Sequence, residues 1–107
     1  LTGSTNVGVW RYTPKLHEDG SGVQIDMLFD REDGIVTICE IKYTKEPVSI
    51  DKAYASNLKN KIAVYKAKTR SKKQINLVLI TANGIKANSY SDDLMSQVVT
   101  LEQLIDE

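Results

Sequence analysis

Three charged residues lie in the most apolar part of the chain, where charge is costly. Asp26 belongs to the run VQIDMLFD at positions 23–30, and Glu40 and Lys42 belong to the run IVTICEIK at positions 35–42. Both runs have the β-branched, apolar content of strands, and the residues between them, REDG, are typical of a turn. Two carboxylates and one lysine on neighbouring strands could hold a divalent cation and orient a water molecule.

A hairpin closed by this turn would place Asp26 directly opposite Glu40, with their Cβ atoms roughly 5 Å apart. In strict alternation, Asp26 shares a face of the first strand with Leu28, whereas Ile25 lies on the other face. Like charges in direct opposition destabilise a sheet, so we expect compensation from Lys42 or from a bound cation. A surface hairpin with solvated charges is the alternative, but both faces are largely apolar, as in central strands covered by helices.

At these residues the sequence resembles the PD-(D/E)xK nuclease superfamily, whose signature is an acidic residue on one strand and (D/E)-x-K on the next. Asp26 and the triplet Glu40-Ile41-Lys42 fit this pattern, and Ile25 stands where the name-giving proline would be. The stretches IDKAYASNLKNKIAVYK and INLVLITANGIKANSY look like the nuclease-like domain at the C-terminus of certain prokaryotic P-loop (AAA-type) ATPases. The resemblance covers most of the chain.

The resemblance implies an α/β, restriction-endonuclease-like core with a mixed central sheet, in which a β-hairpin meander is followed by an α-helix crossover to a further strand. It implies that Asp26, Glu40 and the Ile41 carbonyl bind Mg²⁺ or Mn²⁺ and that Lys42 orients or activates the attacking water. Asp26, Glu40 and Lys42 are then the catalytic residues. Oxygen ligands without histidine or cysteine suit these metals.

The core helix that normally precedes the first strand of this superfamily is missing from the chain. We therefore expect the chain to be a fragment of a longer protein. Without that helix one face of the sheet would be open, so we also expect self-association.

A helix is predicted from an N-cap at Ser49, with Asp51 in its first turn, to about Thr69. Apolar residues recur within it every three or four positions and would form its buried stripe. These residues are Ile50, Tyr54, Leu58, Ile62 and Tyr65. We expect the tyrosine rings in the core rather than stacked on bases.

Basic residues are concentrated between positions 52 and 73, a segment without any acidic residue. Such a segment predicts a surface that binds phosphates, and a solvated helix face is the alternative. The residues that we assign to nucleic-acid binding are Asn57, Lys59, Lys61, Lys66 and Lys68. Because the superfamily places this helix beside the active site, Asn57 and Lys61 could reach the metal or the scissile phosphate. Lys61 could equally bury its stem and extend its ammonium to water.

The remaining chain completes the sheet. Positions 74–81 form a predicted interior strand that is parallel to the strand of Glu40, since a helix connects the two. A short helix or turn opened by Ser91 follows, then a brief strand at positions 98–99. Thr100 is predicted to cap a last helical turn, with Gln103 in the capping-box position.

Composition bounds the domain count and the compartment. The 107 residues suffice for one domain, so we treat 1–107 as a single domain. Fourteen basic and fourteen acidic residues cancel, and no apolar run is long enough to cross a membrane. The single cysteine, Cys39, allows no intrachain disulfide, which fits a cytoplasmic protein, and we expect it in the core. The single histidine, His17, lies in a predicted loop, and we expect a solvated side chain rather than a general base.

Three classes of function fit these residues. The first is a metal-dependent nuclease domain that hydrolyses phosphodiester bonds of DNA beside a P-loop ATPase domain of the same parent protein. The second is a catalytically silent domain of the same fold that binds nucleic acid, since the three charged residues are necessary for cleavage and not sufficient. The third is a domain that binds a protein partner. No G-x-x-x-x-G-K-[ST] sequence occurs here, so the ATPase would be a separate domain.

Overall fold

The computed structural model describes residues 5–14, 22–95, 97–100 and 102–103. In chain order the elements are β1 (Thr5–Tyr12), β2 (Val23–Arg31), β3 (Ile35–Lys42), β4 (Val48–Ser49), α1 (Lys52–Thr69), β5 (Gln74–Thr81), β6 (Ile85–Lys86), α2 (Ser89–Leu94) and β7 (Gln97–Thr100). A five-stranded mixed sheet has the order β1-β2-β3-β5-β7, and β4 pairs separately with β6. The described residues therefore form a compact mixed α/β fold, as predicted.

The hairpin that carries the charged residues forms where the sequence predicts it. β2 and β3 pair antiparallel, with Leu28 opposite Ile38. Gly34 ends the connecting turn with a φ of 92°, a left-handed conformation that residues with a Cβ adopt only with strain. This glycine fixes the turn and with it the register of the first pairs.

The predicted crossover is also confirmed. Helix α1 connects β3 to β5, and these two strands pair in parallel with Glu40 opposite Leu79. β7 then pairs in parallel with the other side of β5. The strand that carries Glu40 and Lys42 is thus the central strand of the sheet.

The predicted register is confirmed at Leu28–Ile38 and Asp30–Val36, but the pairing of β2 and β3 does not extend to the two carboxylates. The paired part of β2 and β3 ends at Met27 and Cys39, one residue before Asp26 and Glu40 would meet. Asp26 and Glu40 are therefore not a pair of this ladder.

A β-bulge in β2 explains the end of this pairing. Gly8 pairs with Leu28 and Trp10 pairs with Ile25, so one residue of β1 lies opposite two residues of β2, the first of which is Asp26. The extra residue breaks the alternation of β2, because Ile25 and Leu28 both contact the same hydrophobic cluster. The prediction that these two side chains lie on opposite faces is wrong for this reason.

Helix α1 begins later than predicted. Ser49 belongs to β4 and is not an N-cap, because this short strand pairs with β6 before the helix starts. The N-cap is Asp51, whose carboxylate accepts a hydrogen bond from the backbone N–H of Tyr54 at 2.8 Å. Such a bond satisfies an N–H group that has no partner within the helix. The predicted C-terminus at Thr69 is confirmed, and Arg70 follows in the left-handed conformation.

The hydrophobic core lies between the two helices and one face of the sheet. Its larger cluster draws on β2, β3, α1 and β5, and its buried members are Ile25, Val36, Ile38, Leu58, Tyr65 and Leu77. A second cluster lies next to β4, with buried members Val48, Ile50, Ala55 and Leu79. Leu94 of α2 packs against both clusters. The predicted stripe of α1 is thus turned inward, although Ile50 precedes the helix.

The edge strand β1 exposes apolar side chains. Trp10 packs against the core, whereas Val7 and Val9 are 60% and 64% exposed. Cys39 is buried, as predicted, and burial raises the pKa of its thiol. Self-association stays a prediction.

The C-terminal part differs from the prediction in one cap. Helix α2 is capped by Asn88 rather than opened by Ser91, and the two side chains form a reciprocal capping box. The predicted bonds between Thr100 and Gln103 are present. His17 lies outside the described residues. No helix in the described ranges is long and apolar enough to span a membrane.

Candidate active site

The β2–β3 hairpin opens at the bulge, and the side chain of Asp26 lies at this opening. Its Oδ2 atom accepts a hydrogen bond from the backbone N–H of Ile41 at 3.0 Å, beyond the last ladder pair. Its Oδ1 atom has no hydrogen-bond partner among the described residues. The carboxylate is therefore held by one oxygen and available through the other.

Glu40 is a buried carboxylate whose partner is Lys61, which the sequence analysis places beside the active site but not on this carboxylate. The residue is 8% exposed, and both carboxylate oxygens accept hydrogen bonds from the Lys61 ammonium. The Nζ atom lies 2.9 Å from Oε2 and 3.1 Å from Oε1. The charge that touches Glu40 is thus Lys61 of α1, rather than Lys42 on the same strand.

Lys42 instead contacts an aromatic ring. Its Nζ atom lies 5.3 Å from the centroid of the Tyr54 ring, within the range of a cation–π interaction. Lys42 is exposed and comes from the end of β3, whereas Tyr54 comes from the first turn of α1. The ring therefore holds the ammonium near the point where β3 and α1 meet.

Tyr54 is the common neighbour of the charged groups. Its hydroxyl is buried and has no hydrogen-bond partner in the part of the chain that the structure describes. Burial and, to a smaller extent, the negative charges of Glu40 and then Asp26 raise the pKa of the Tyr54 phenol to about 12. Both carboxylates therefore disfavour ionisation of this phenol.

A cleft of about 630 Å³ opens beside these groups. It lies between the end of β3, the strand β4 and the start of α1. The polar side chains that line it are Glu40, Lys42, Ser49, Asp51, Tyr54 and Asn57. A cleft with both signs of charge and an aromatic wall could accept a polar ligand with an apolar part.

The segment that leads into the cleft wall is fixed by hydrogen bonds. The side-chain amide of Asn83 donates to the backbone carbonyls of Thr44 and Lys45 at 2.8 and 2.9 Å. The backbone N–H of Val48 donates to the carbonyl of Gly84 at 2.9 Å. These bonds connect the chain after Lys42 to the turn after β5 and keep the wall in place.

The predicted nucleic-acid-binding residues do not form one surface. Asn57 lines the cleft and Lys61 contacts Glu40. Lys59 and Lys66 are exposed, and at about 100° per residue they project from α1 on the side away from Lys61. Lys68 lies with its Nζ atom 4.5 Å from the centroid of the Tyr12 ring.

Asp26 and Glu40 are the residues that could hold a hard divalent cation with part of its water shell. Among the described residues, no three histidine, cysteine or carboxylate side chains converge on one point. Asp26 and Glu40 are two carboxylates, and Mg²⁺ is commonly held by one or two carboxylates with water and substrate oxygens completing its shell. The available Oδ1 atom of Asp26 suits this role. The Ile41 carbonyl stays a predicted ligand, because the bond that the structure provides at this residue is from its N–H group.

Sequence reasoning missed two features of the site. Tyr54 is predicted only as a core residue, although it also lines the cleft and its ring contacts the Lys42 ammonium. Asn83 belongs to an Asn-Gly dipeptide, which indicates a turn. It does not indicate the hydrogen bonds from the Asn83 amide to the carbonyls of Thr44 and Lys45. Only the position of Tyr54 one turn before Asn57 could have indicated that its ring lies near the cleft.

No family model, curated protein or solved structure matches this chain. A function has to be inferred from the geometry of the cleft.

Proposed function

We propose that the chain is a metal-dependent nuclease domain that hydrolyses phosphodiester bonds in DNA. The observation that carries this proposal is that Glu40 and Lys42 line one cleft, while the Asp26 carboxylate accepts the N–H of Ile41, the residue between them. The mixed sheet with a hairpin and a helical crossover supports a restriction-endonuclease-like core.

The residues divide the work of phosphodiester hydrolysis between them. Asp26 and Glu40 would hold Mg²⁺ or Mn²⁺, with Asp26 oriented in advance by the N–H of Ile41. The bound cation would offset the charge of the phosphate and lower the pKa of a water molecule. Lys42 would orient the attacking water and stabilise the charge that develops on the phosphate oxygens. The ring of Tyr54 would keep the ammonium of Lys42 beside the carboxylates.

The proposed partners follow from the resemblance of positions 50–66 and 75–90 to the ATPase-associated domain. A P-loop ATPase domain on the parent chain would deliver or move the DNA, while this domain cuts it. Asn57 at the cleft would contact the DNA backbone.

A second function is favoured by one specific contact. Both oxygens of Glu40 are bonded to the Lys61 ammonium, so the charge of the carboxylate is neutralised without a metal ion. A domain of this fold that binds nucleic acid or a protein partner without cleavage would need this ion pair and no metal ion. The two functions differ in whether metal binds and supports turnover.

A cleavage assay separates them. The chain is incubated with plasmid, single-stranded DNA and RNA in Mg²⁺, Mn²⁺ or chelator, and products are resolved on gels. We expect metal-dependent cleavage of DNA, with a loss of about 100-fold or more in Asp26→Asn, Glu40→Gln and Lys42→Met, because each removes a metal ligand or a group that orients water.

The matched control is Asp92→Asn, which removes an exposed carboxylate on α2. It should cleave as wild type does. Cleavage that survives chelator, or that is equal in all five proteins, would show a contaminating nuclease and remove the basis of the proposal.

A further inference from the structure

The contact between Lys61 and Glu40 has the geometry of an occupied cation site. The ammonium donates to both oxygens of one carboxylate, at 2.9 and 3.1 Å, and so lies between them. The two side chains are only 18% and 10% exposed, so water contributes little to solvating either charge. Lys61 is therefore the cation that makes a buried Glu40 tolerable.

A divalent cation at Glu40 would bind the carboxylate that already holds this ammonium. Each of its two oxygens accepts one hydrogen bond from Lys61. Two cations at one buried carboxylate would also repel each other at short range in a medium that screens charge poorly. The ammonium of Lys61 therefore opposes the binding of a metal ion at Glu40.

We propose that Lys61 is a built-in competitor for the divalent cation at Glu40, so that metal binding is an exchange in which the ammonium leaves the carboxylate. The inference rests on the metal site of the proposed function. Lys61 lies one helical turn after Asn57, which lines the cleft. The displaced ammonium is thus released next to the cleft, where a phosphate oxygen of a nucleic acid can take the place of the carboxylate.

The exchange sets an order of events at the site. Without metal, the charges of Glu40 and Lys61 neutralise each other in the ion pair, and the chain folds without a metal ion. Metal alone binds weakly, because it must displace Lys61. Metal together with a phosphodiester binds more strongly, because the phosphate receives the ammonium that the metal displaces.

Mn²⁺ affinity of the 107-residue chain, measured by titration calorimetry with MnCl₂, tests the exchange. Lys61→Met keeps most of the stem and removes the charge, and we expect it to bind Mn²⁺ at least about tenfold more tightly than wild type. Lys61→Arg should bind more weakly than wild type, since a guanidinium fork holds a carboxylate better than an ammonium. Lys59→Met, on the exposed side of the same helix, should match wild type.

A labelling experiment on wild type covers the case in which Lys61→Met fails to fold. Lysines are reductively methylated with and without saturating MnCl₂ and quantified by mass spectrometry. Lys61 should react more slowly than Lys59 without metal, and metal should raise its rate severalfold while Lys59 is unchanged.

The outcomes distinguish this inference from the proposed function. Equal Mn²⁺ affinity in wild type and both Lys61 variants, or unchanged labelling of Lys61, would leave the metal site standing and overturn the exchange. Weaker binding by Lys61→Met would also overturn it, since Lys61 would then support the metal site. Absence of Mn²⁺ binding in every protein would overturn both.

Discussion

The buried hydroxyl of Tyr54 lowers the stability of the folded protein. A buried hydroxyl that makes no hydrogen bond loses its hydration without compensation, at about 1–3 kcal/mol. The Tyr54 hydroxyl has no hydrogen-bond partner in the described part of the chain, while the Tyr54 ring packs against both hydrophobic clusters. The ring therefore stabilises the fold and the hydroxyl destabilises it.

Tyr54→Phe should stabilise the metal-free protein at neutral pH. It removes the unpaired hydroxyl and keeps the ring under Lys42, so we expect the free energy of unfolding to rise by about 1 kcal/mol. Urea denaturation followed by circular dichroism measures the change. Tyr90→Phe, at a ring that is 40% exposed, should change nothing. A loss of stability in Tyr54→Phe would mean that the hydroxyl has a partner in solution.

The same residue predicts a pH dependence at the alkaline end. The pKa of Tyr54 is raised from 10.0 to about 12 in the folded state, mainly by burial. The folded protein therefore holds this proton more tightly than the unfolded chain, and stability should fall as pH rises from about 10 towards 12. Tyr54→Phe should lose less stability over this window than wild type. Parallel pH profiles for the two proteins would contradict the shift.

At the residue scale, the sequence predicted the groups of the site better than their contacts. Asp26, Glu40 and Lys42 are recognisable because charge is rare in apolar strands. Lys61 was expected near the site, but its ion pair with Glu40 was not, because Lys61 lies 21 residues away and reaches Glu40 only through the rotation of α1. That rotation is decided by packing of the whole apolar stripe, which no local pattern contains.

At the scale of elements, the start of α1 shows how a short strand overrides a local cap signal. Ser49 is a good N-cap by residue type, but the pairing of β4 with β6 keeps it extended. Asp51 then caps the helix, and its negative charge at the N-terminus also interacts favourably with the helix dipole. A pairing of only two residues per strand could not be predicted from propensities.

Asp51→Ala should therefore destabilise the protein where Ser49→Ala does not. Loss of an N-cap bond costs about 1 kcal/mol, and the Asp51 carboxylate accepts this bond from the N–H of Tyr54. Ser49 is exposed, and its replacement should change stability by less than about 0.5 kcal/mol. Chemical denaturation of the two variants beside wild type gives the comparison. Equal losses of stability in the two variants would contradict the assignment of the N-cap to Asp51 rather than Ser49.

The central part of the sheet, from β2 through β3 to β5, was predicted in its topology and missed in one detail. Hydrophobic runs and turn signals are enough to place β2, β3 and β5, and the helix between β3 and β5 dictates their parallel pairing. The bulge in β2 could not be predicted, because it depends on how β1 pairs on the other side. It changes which side chains share a face, and so it affects the site more than the fold.

For the whole molecule, the distribution of charge matters more than its sum. The net charge is zero, yet the basic residues are concentrated in and after α1. Within that group Lys61 is paired with Glu40 and Lys73 with Asp30, so these charges are already partly neutralised. The positive surface is therefore smaller than the sequence predicts.

DNA that enters the cleft should be affected by Lys42 more than by the lysines on the far side of α1. We expect Lys42→Ala to reduce the slope of log affinity against log salt by about 1, because one phosphate contact is lost. Lys59→Ala combined with Lys66→Ala should leave the slope nearly unchanged, since both project away from the cleft side. Fluorescence anisotropy with a labelled duplex in chelator measures both slopes. A larger reduction in the double variant would place the DNA on the outer side of α1.

The bulge at Asp26 also makes the length of β2 a constraint that is separate from its composition. Deleting one residue there would let β1 and β2 pair without interruption and restore the ladder that the bulge disrupts. The same deletion would move the residues on one side of it to the opposite face, because side chains alternate with a period of two. Asp26 would then lose the N–H of Ile41. Side chains along β2 can be exchanged one at a time, whereas the gain or loss of a single residue would repair the sheet and dismantle the site together.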